Sequence, residues 1–444
     1  MITRIEKRMK TALLLTSPVM CVLLGACSQV AGPESLSSLG SGSASVRYAA
    51  PSKSYSVSQS QGVSGLVKLM NRHHPALLAA DAEVERLRHQ AVVAGALPDP
   101  KAKLTGGRLA ETAAGRMEAI VGVEQKLPYP GKLSLRKKKV LELAEAAKDQ
   151  REVLRVQLAY QLRVAYWQYY EVRHTRKLLR ENQQLLKQLT ETVQVRVEAN
   201  QAQSQDLIRL TNEVGKIERQ IVLLNKRESQ VKASLNALLH RPQKSSLPLP
   251  KFDTQDLRVN LAATVSSHPE LSRGRNMMLV AEHEQSLAKL ANKPDFNIGL
   301  QYGSVNGSGL APSSNGRDQV MATFGVTLPI WEGKNTAKRK AAEANVAKYT
   351  SQLEATRDLL ESERTASSAD MSAQKSLIKL FKNQLIPDSQ TAFELTTTSY
   401  ANGKASFNDL IDAWRQLLQQ QTLQVKNQSS LGVATAGFKK STAR

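Results

Sequence analysis

The 444-residue sequence has only two cysteines, Cys21 and Cys27, and both lie near its start. From Ser28 onward no thiol can form a disulfide, so packing must stabilise the fold. The seven histidines form no HExxH or other metal-ligand spacing, and neither a Gly-rich phosphate loop nor a nucleophile elbow occurs. We therefore expect no enzymatic activity, no metal site and no cofactor.

Proline is absent between Gly131 and Arg241, and Gly215 is the only glycine inside that stretch. Apolar residues recur there every seven positions, the period of a coiled-coil seam. The seam residues are Leu158, Ala165, Val172, Leu179, Leu186 and Val193. The pattern predicts a helix of roughly 100 Å that ends near Asn200, followed by a helix that returns to about His240.

Acidic residues are relatively few: the sequence has 39 of them against 61 lysines and arginines, which gives a net charge of +22. The positive charges are scattered along predicted helices, with one run at residues 136–139. Solvated helix faces account for most of them, and contact with anionic cell-wall or lipopolysaccharide surfaces is the alternative for the run. Nucleic acid is not an expected partner, because the N-terminus indicates export.

The first 26 residues have the shape of a signal peptide: a basic start, then an apolar run from Thr11 to Leu24. The run ends in Leu24-Gly25-Ala26-Cys27, which resembles the bacterial lipoprotein box. This resemblance implies cleavage before Cys27 and a covalent lipid on that cysteine. Ser28 in place of aspartate favours delivery to the outer membrane. Residues 27–62, rich in Ser, Gly and Ala, are interpreted as a flexible lipid-anchored tether.

The rest of the chain is duplicated with an offset of 194 to 203 residues. His74-Pro75 matches His268-Pro269, and a Leu-Pro step before Gly-Lys occurs at residues 127–132 and 328–334. Asn200 aligns with Gly403, and both residue types tolerate the left-handed backbone of a tight turn. Asp-Leu-Ile follows each turn at the same distance. We expect two repeats, residues 63–250 and 251–432, that bury their apolar faces together, and a basic tail at 433–444.

The second repeat predicts a long helix from Gly333 to Gly403, kinked at Pro387, and a return to about Asn427. Shorter helices are predicted at about 64–94 and 257–291. Between the helices lie four alternating segments, near residues 102–109, 117–124, 296–302 and 320–328. Alternation of apolar with small or polar residues suits membrane-barrel strands. A small soluble hairpin is the alternative, but the equivalent position of each hairpin in both halves argues against it.

In this order, the duplicated motifs resemble those of the TolC-type outer-membrane efflux channels, from about Gly65 to Gly432. The resemblance implies a mainly α fold with long tandem helical hairpins and four transmembrane strands per chain. It also implies a homotrimer with a twelve-stranded barrel in outer-membrane lipid and a helical barrel in the periplasm. A periplasmic adaptor and an inner-membrane pump would dock at the hairpin tips.

The resemblance also assigns roles at the tips. Asp409 and Asp412 would form acidic rings at a periplasmic gate, where mutual repulsion raises the pKa of some carboxyls. Tyr400 and Asp206 would form a latch between neighbouring hairpins, and Asn200 and Gly403 are the hairpin-tip turns. The arginine that some members use in this latch is Ala405 here. Arg209 is a possible counter-charge for Asp206.

Two other functions remain open at this stage: a periplasmic adaptor lipoprotein and a coiled-coil structural lipoprotein. An adaptor has one hairpin between β-rich halves, so two tandem hairpins disfavour it. The substrate is not determined. The Leu127–Lys132 step and the lipoprotein signal are typical of the cation-efflux branch, but drug exporters share both features.

Overall fold

The computed structural model describes residue 57 and residues 62–107, 109, 111–307, 313 and 315–443. The elements of the first half are α1 (Val63–His73), α2 (Pro75–Gly95), β1 (Lys101–Gly106), β2 (Glu111–Thr112), β3 (Gly115–Leu127), α3 (Lys132–Glu198) and α4 (Ser204–Leu238). Those of the second half are α5 (Pro269–Lys289), β4 (Asp295–Asn306), β5 (Gln319–Thr327), α6 (Glu332–Leu380), α7 (Ile386–Ala401) and α8 (Phe407–Ser441). Each half therefore has a short helical part, a strand region and a long helical hairpin.

The predicted long helix of the first half is confirmed as α3, which has 67 residues. Its length is roughly 100 Å at 1.5 Å per residue. All six residues of the heptad seam are buried, with Leu186 and Val193 fully so. The seven-residue period thus keeps one stripe of α3 against its neighbours from Leu158 to Val193.

The second hairpin contains the break expected at Pro387, but the break is a π-helical turn. This turn spans Phe381–Leu385 and connects α6 to α7, with Pro387 in the first turn of α7. A π turn provides room for a proline ring and its missing N–H without ending the helix. The return helix α8 continues to Ser441, so an end near Asn427 is wrong and residues 433–441 are helical rather than a separate tail.

Both His-Pro steps begin helices. The Nδ1 atom of His74 accepts a hydrogen bond from the Ala76 N–H at 3.2 Å, and His268 accepts one from Glu270 at 3.2 Å. Each histidine is an N-cap and each proline occupies the first helical turn, where its missing N–H costs nothing. The second short helix therefore begins at Pro269, and the predicted start near Leu257 is wrong because the chain forms turns there.

The strands form one antiparallel sheet in the order β1-β3-β4-β5, and β2 pairs with the start of β3. The central pair β3–β4 joins the two halves, with Val121 opposite Tyr302 and Leu127 opposite Phe296. A register shift between Met117 and Ala119 marks a bulge in β3. None of the helices that the structure describes has the length and apolarity needed to cross a bilayer.

Buried polar contacts hold the two long hairpins together. The Trp414 indole N–H donates to the Asn182 side-chain oxygen at 3.0 Å, and both residues are buried. Further along, the Ser429 hydroxyl donates to the Trp167 carbonyl at 2.9 Å. Each bond joins α3 of the first half to α8 of the second, as expected if neither repeat buries its apolar face alone.

Candidate functional site

The two hairpin tips have the same backbone geometry. Asn200 has φ of 58° and Gly403 has φ of 73°, both left-handed. At the first tip the Gln201 N–H donates to the Arg196 carbonyl at 2.7 Å, and at the second the Lys404 N–H donates to the Ser399 carbonyl at 2.8 Å. These bonds form a Schellman motif at each turn, which satisfies the last carbonyls of α3 and α7.

The tips lie against each other and share one apolar cluster. Val193 of α3, Leu210 of α4, Tyr400 of α7 and Leu410 of α8 are all buried in it. Each repeat therefore supplies about half of the residues in this cluster. The two tips are packed together as one unit.

Arg196 connects the two tips directly. Its guanidinium carbon lies 4.5 Å from the centre of the Tyr400 ring, a cation–π geometry. The same guanidinium donates a hydrogen bond to the Tyr400 carbonyl oxygen. The sequence reasoning missed this role, although Arg196 begins the repeated tip motif and aligns with Ser399. Tyr400 therefore has an arginine neighbour in Arg196. At position 405, where some family members have an arginine, this sequence has alanine.

Tyr400 and Asp206, the expected latch, are both buried. Within the described part of the chain the Tyr400 hydroxyl has no hydrogen-bond partner, so one chain alone does not form the Tyr400–Asp206 bond. Burial raises the pKa of Tyr400, with Arg196 opposing the shift and Asp206 adding to it. The phenol therefore stays protonated at neutral pH and keeps a hydrogen to donate.

Asp409 forms a capping box at the start of α8. Its carboxylate accepts hydrogen bonds from the Ser406 N–H at 2.9 Å and the Ser406 hydroxyl at 2.7 Å, and its own N–H donates to that hydroxyl at 3.2 Å. These bonds lower the pKa of Asp409. The direction within one chain is opposite to the one expected from repulsion in a ring, so Asp409 stays ionised at neutral pH.

Asp412 faces solvent beside Arg415, whose guanidinium lies 3.0 Å from its carboxylate. Arg415 also donates to Glu213 of α4 at 2.6 Å. Burial opposes ionisation of Glu213, but hydrogen bonds from Arg415 and Lys216 outweigh burial and lower its pKa. These side chains line a charged cleft of about 340 Å³ between α4 and α8.

Arg209, proposed as a counter-charge for Asp206, lines the same cleft. Its guanidinium donates to the Asn408 side-chain oxygen at 2.8 Å, and it forms no ion pair with Asp206 within the described part of the chain. An arginine three residues after an acid on a helix reaches either that acid or a neighbouring helix. Here Asn408 at the start of α8 is the partner.

One face of the sheet is apolar and exposed. Its register rows are Leu104-Val121-Tyr302-Val320, Ala102-Val123-Leu300-Ala322, Gln125-Ile298-Phe324 and Leu127-Phe296-Val326. Leu104 is 77% exposed and Phe324 is 69% exposed. A contiguous apolar face on all four strands, with Gln125 its one polar member, is the surface that a hydrocarbon environment requires.

The opposite face is mostly polar or small, with Ile120 and Met321 as large apolar members. Its rows include Lys101-Glu124-Gly299-Thr323, Lys103-Gly122-Gln301-Met321, Thr105-Ile120-Gly303-Gln319 and Lys126-Asn297-Gly325. Lys103 and Glu124 form an ion pair across β1 and β3. Small and charged residues on this side suit a wet interior. The pleat therefore separates an apolar face from a mostly polar one, as the alternating sequence pattern indicates.

Cys27, the expected lipidation site, lies outside the described residues, as do residues 1–26 and nearly all of the tether. Among the residues that the structure describes, no group of three or more His, Cys, Asp or Glu side chains could hold a metal ion.

Comparison with known proteins agrees with this geometry. Residues 263–443 match the family model of the outer membrane efflux proteins. No curated protein matches the sequence. The fold resembles the outer membrane protein VceC of Vibrio cholerae, with a TM-score of 0.73, 16% identity, and coverage of 86% of this chain and 96% of that one.

Two further solved structures have similar scores. CusC, a transmembrane channel, has a TM-score of 0.70, 15% identity, and coverage of 88% of this chain and 96% of its own. The outer-membrane channel MtrE of Neisseria gonorrhoeae, solved in its open state, has a TM-score of 0.70, 18% identity, and coverage of 89% and 97%. At these identities the comparison establishes the fold.

Proposed function

We propose that this protein, whose residues 263–443 match the family model of the outer membrane efflux proteins, is the outer-membrane channel of a tripartite efflux system. The observation that carries the proposal is the four-stranded sheet, which has one apolar and one polar face. The apolar face of such a sheet needs lipid and its polar face needs water. Each long hairpin extends from the sheet far enough to cross much of a periplasm.

The sheet also requires partners of its own kind. Its order leaves β1 and β5 as edges, and an unpaired edge is intolerable in hydrocarbon. Four strands are too few to close a membrane barrel, whereas three copies make twelve. Pairing of β1 of one protomer with β5 of the next would seal the wall and place the polar face inside.

At the opposite end we propose that the tips form the gate and the docking site. Acidic rings of Asp409 and Asp412 would favour cations at the mouth, and the charged cleft between α4 and α8 offers complementary charges to a periplasmic adaptor. The buried Tyr400 hydroxyl supports the proposed latch, because it has no acceptor within the described part of one chain and its hydrogen can be donated to Asp206 of a neighbouring hairpin. An adaptor would open the gate by separating the tips.

Three parts of the proposal rest on the sequence. Cys27 would carry the lipid that anchors each protomer to the outer membrane, residues 1–26 would be removed, and residues 27–62 would tether the lipid. The inner-membrane pump would supply the energy and select the substrate, whether a metal cation or a drug. An adaptor role for this chain is not favoured, because its two tandem hairpins flank a single sheet.

Single-channel recording in planar bilayers tests both the channel and the acidic gate. We expect the wild type to conduct with a preference for cations. The double variant Asp409→Asn with Asp412→Asn should reduce this preference, since rings of fixed charge raise local cation concentration about tenfold or more. Asparagine at position 409 retains the oxygen that accepts the capping bonds from Ser406.

The matched control is Asp358→Asn with Asp370→Asn, which removes the same charge from exposed positions of α6. A wild type that never conducts would contradict the channel function. A conducting wild type whose ion selectivity is unchanged by the tip variant would contradict only the gate.

A further inference from the structure

A groove of about 660 Å³ lies between α3, α5 and α6. Its lining is mostly apolar and includes Asn345 and three lysines; the apolar residues are called the floor and the lysines the rim. The floor residues are Leu287, Ala288, Ala291, Ala341, Ala342 and Ala344, and the rim lysines are Lys139, Lys338 and Lys348. This volume lies within the range of sites that bind small amphipathic molecules.

The groove lies close to the helical end of the sheet. Helix α3 begins five residues after β3 ends, α6 begins five residues after β5 ends, and α5 ends shortly before β4. At 1.5 Å per residue, Lys139 and Lys338 are about 10 Å along their helices from these starts. Trp331, at the N-cap of α6, is 70% exposed. Tryptophan is enriched where hydrocarbon meets lipid headgroups, so an exposed tryptophan next to an apolar sheet face marks that boundary.

Basic residues are concentrated at this level in both repeats. Residues 132–139 contain five basic side chains and no acid, and residues 332–340 contain four with only Glu332. Of these nine, only Lys132 and Lys139 form ion pairs within the described part of the chain, with Asp295 and Glu284 respectively. The helix starts therefore carry uncompensated positive charge.

The acids near the groove do not cancel this charge. Glu284 is the one acid that lines it, and it lies 3.3 Å from Lys139. Lys338 makes no ion pair in the described chain, and the Lys348 ammonium lies 4.4 Å from the Tyr349 ring instead of a carboxylate. An apolar floor below two available ammonium groups fits a ligand with an anionic head and a hydrocarbon tail.

We propose that this groove binds an anionic phospholipid of the periplasmic leaflet, with its phosphate at the unpaired Lys338 and an acyl chain on the alanine-rich floor. The inference rests on the proposed placement of the sheet in the outer membrane. Basic clusters immediately beside a membrane-spanning segment recognise anionic headgroups in this way. Bound lipid would fix the depth at which the helical barrel meets the bilayer.

Native mass spectrometry of the full-length protein in detergent tests the proposal, with phosphatidylglycerol and phosphatidylcholine of identical acyl chains as probes. We expect the wild type to retain phosphatidylglycerol preferentially. Replacing Lys139, Lys338 and Lys348 with glutamine should weaken phosphatidylglycerol binding about 100-fold and leave phosphatidylcholine binding unchanged. Replacing the same three with arginine should preserve the preference.

The matched control replaces Lys187, Lys375 and Lys379 with glutamine, which removes the same charge from exposed positions of α3 and α6 far from the sheet. The control should bind phosphatidylglycerol as the wild type does. Equal retention of the two lipids by the wild type overturns the proposal, whatever the variants do. Binding of inorganic phosphate as tight as that of the lipid also overturns it, since the site would then serve a free anion. A protein that fails these lipid tests but still conducts in bilayers of phosphatidylcholine alone would contradict the lipid site and leave the channel function intact.

Discussion

Leu300→Arg should prevent the protein from entering the outer membrane. Leu300 lies on the apolar face near the middle of β4, between Val123 and Ala322 in the register. An arginine facing lipid near the bilayer midplane costs about 2–4 kcal/mol, and a trimer would carry three, or roughly 6–12 kcal/mol. The measurement is the fraction of protein found as trimer in outer-membrane fractions.

Gln301→Arg is the matched control. Gln301 is the next residue on β4 and lies on the polar face, in the row of Lys103 and Gly122. An arginine there would face water inside the barrel, so assembly should approach that of the wild type. Equal loss of trimer from both variants would show that the two faces do not meet different solvents, and the membrane placement of the sheet would be wrong.

Gly432→Ala should strongly destabilise the packing of the two long hairpins. Gly432 is buried in α8 beneath Trp167 of α3, and a Cβ at this position would lie 2.0 Å from the indole ring. Trp167 is fully buried and contacts Tyr166, Tyr170 and Phe252 edge to face, so it has no room to move. Overpacking of this kind costs about 3 kcal/mol.

Gly215→Ala is the opposite case. Gly215 is exposed in α4, and a Cβ there meets no atom within 4 Å. Alanine should stabilise the helix by about 0.5–1 kcal/mol. Thermal unfolding followed by circular dichroism should therefore show the Gly432 variant melting below the wild type and the Gly215 variant at or above it. If both variants melt alike, the close approach of α3 and α8 is not a determinant of stability.

Features that depend on local geometry could be predicted from the sequence. The heptad from Leu158 to Val193 predicts a buried stripe because side-chain direction on a helix follows from spacing alone. The turns at Asn200 and Gly403 could be placed because few residue types adopt a positive φ. The alternation in β4 and β5 gives their two faces for the same reason, since successive side chains point to opposite sides.

Features that depend on tertiary packing could not be predicted. The contact of Arg196 with Tyr400 requires the two tips to meet, and residues 204 positions apart in the chain give no local signal of it. Arg209 and Asn408 lie 199 positions apart in the chain, so their hydrogen bond also gives no local signal. The basic groove likewise needs three helices to converge, although the run at residues 136–139 indicated a charged surface.

The central claim is that three copies close one barrel through β1 and β5, and disulfide trapping tests it most directly. The described sheet places β3 and β4 between these strands, so within one chain they are about 14 Å apart and cannot be bridged. Cysteines would be paired in a small panel, Ala102→Cys or Leu104→Cys with Val320→Cys, Ala322→Cys or Phe324→Cys, with each single variant as control. Cys21 and Cys27 are the only native cysteines, and the single variants would reveal any link made through them.

For at least one pair, oxidation in membranes should convert the monomer band into covalent dimer and then trimer on denaturing gels, with nothing larger. Antiparallel neighbours have Cα atoms about 4.5–5.5 Å apart, within reach of a disulfide. Monomers that stay unlinked for every pair, or ladders that continue beyond the trimer, would contradict a closed barrel of three chains.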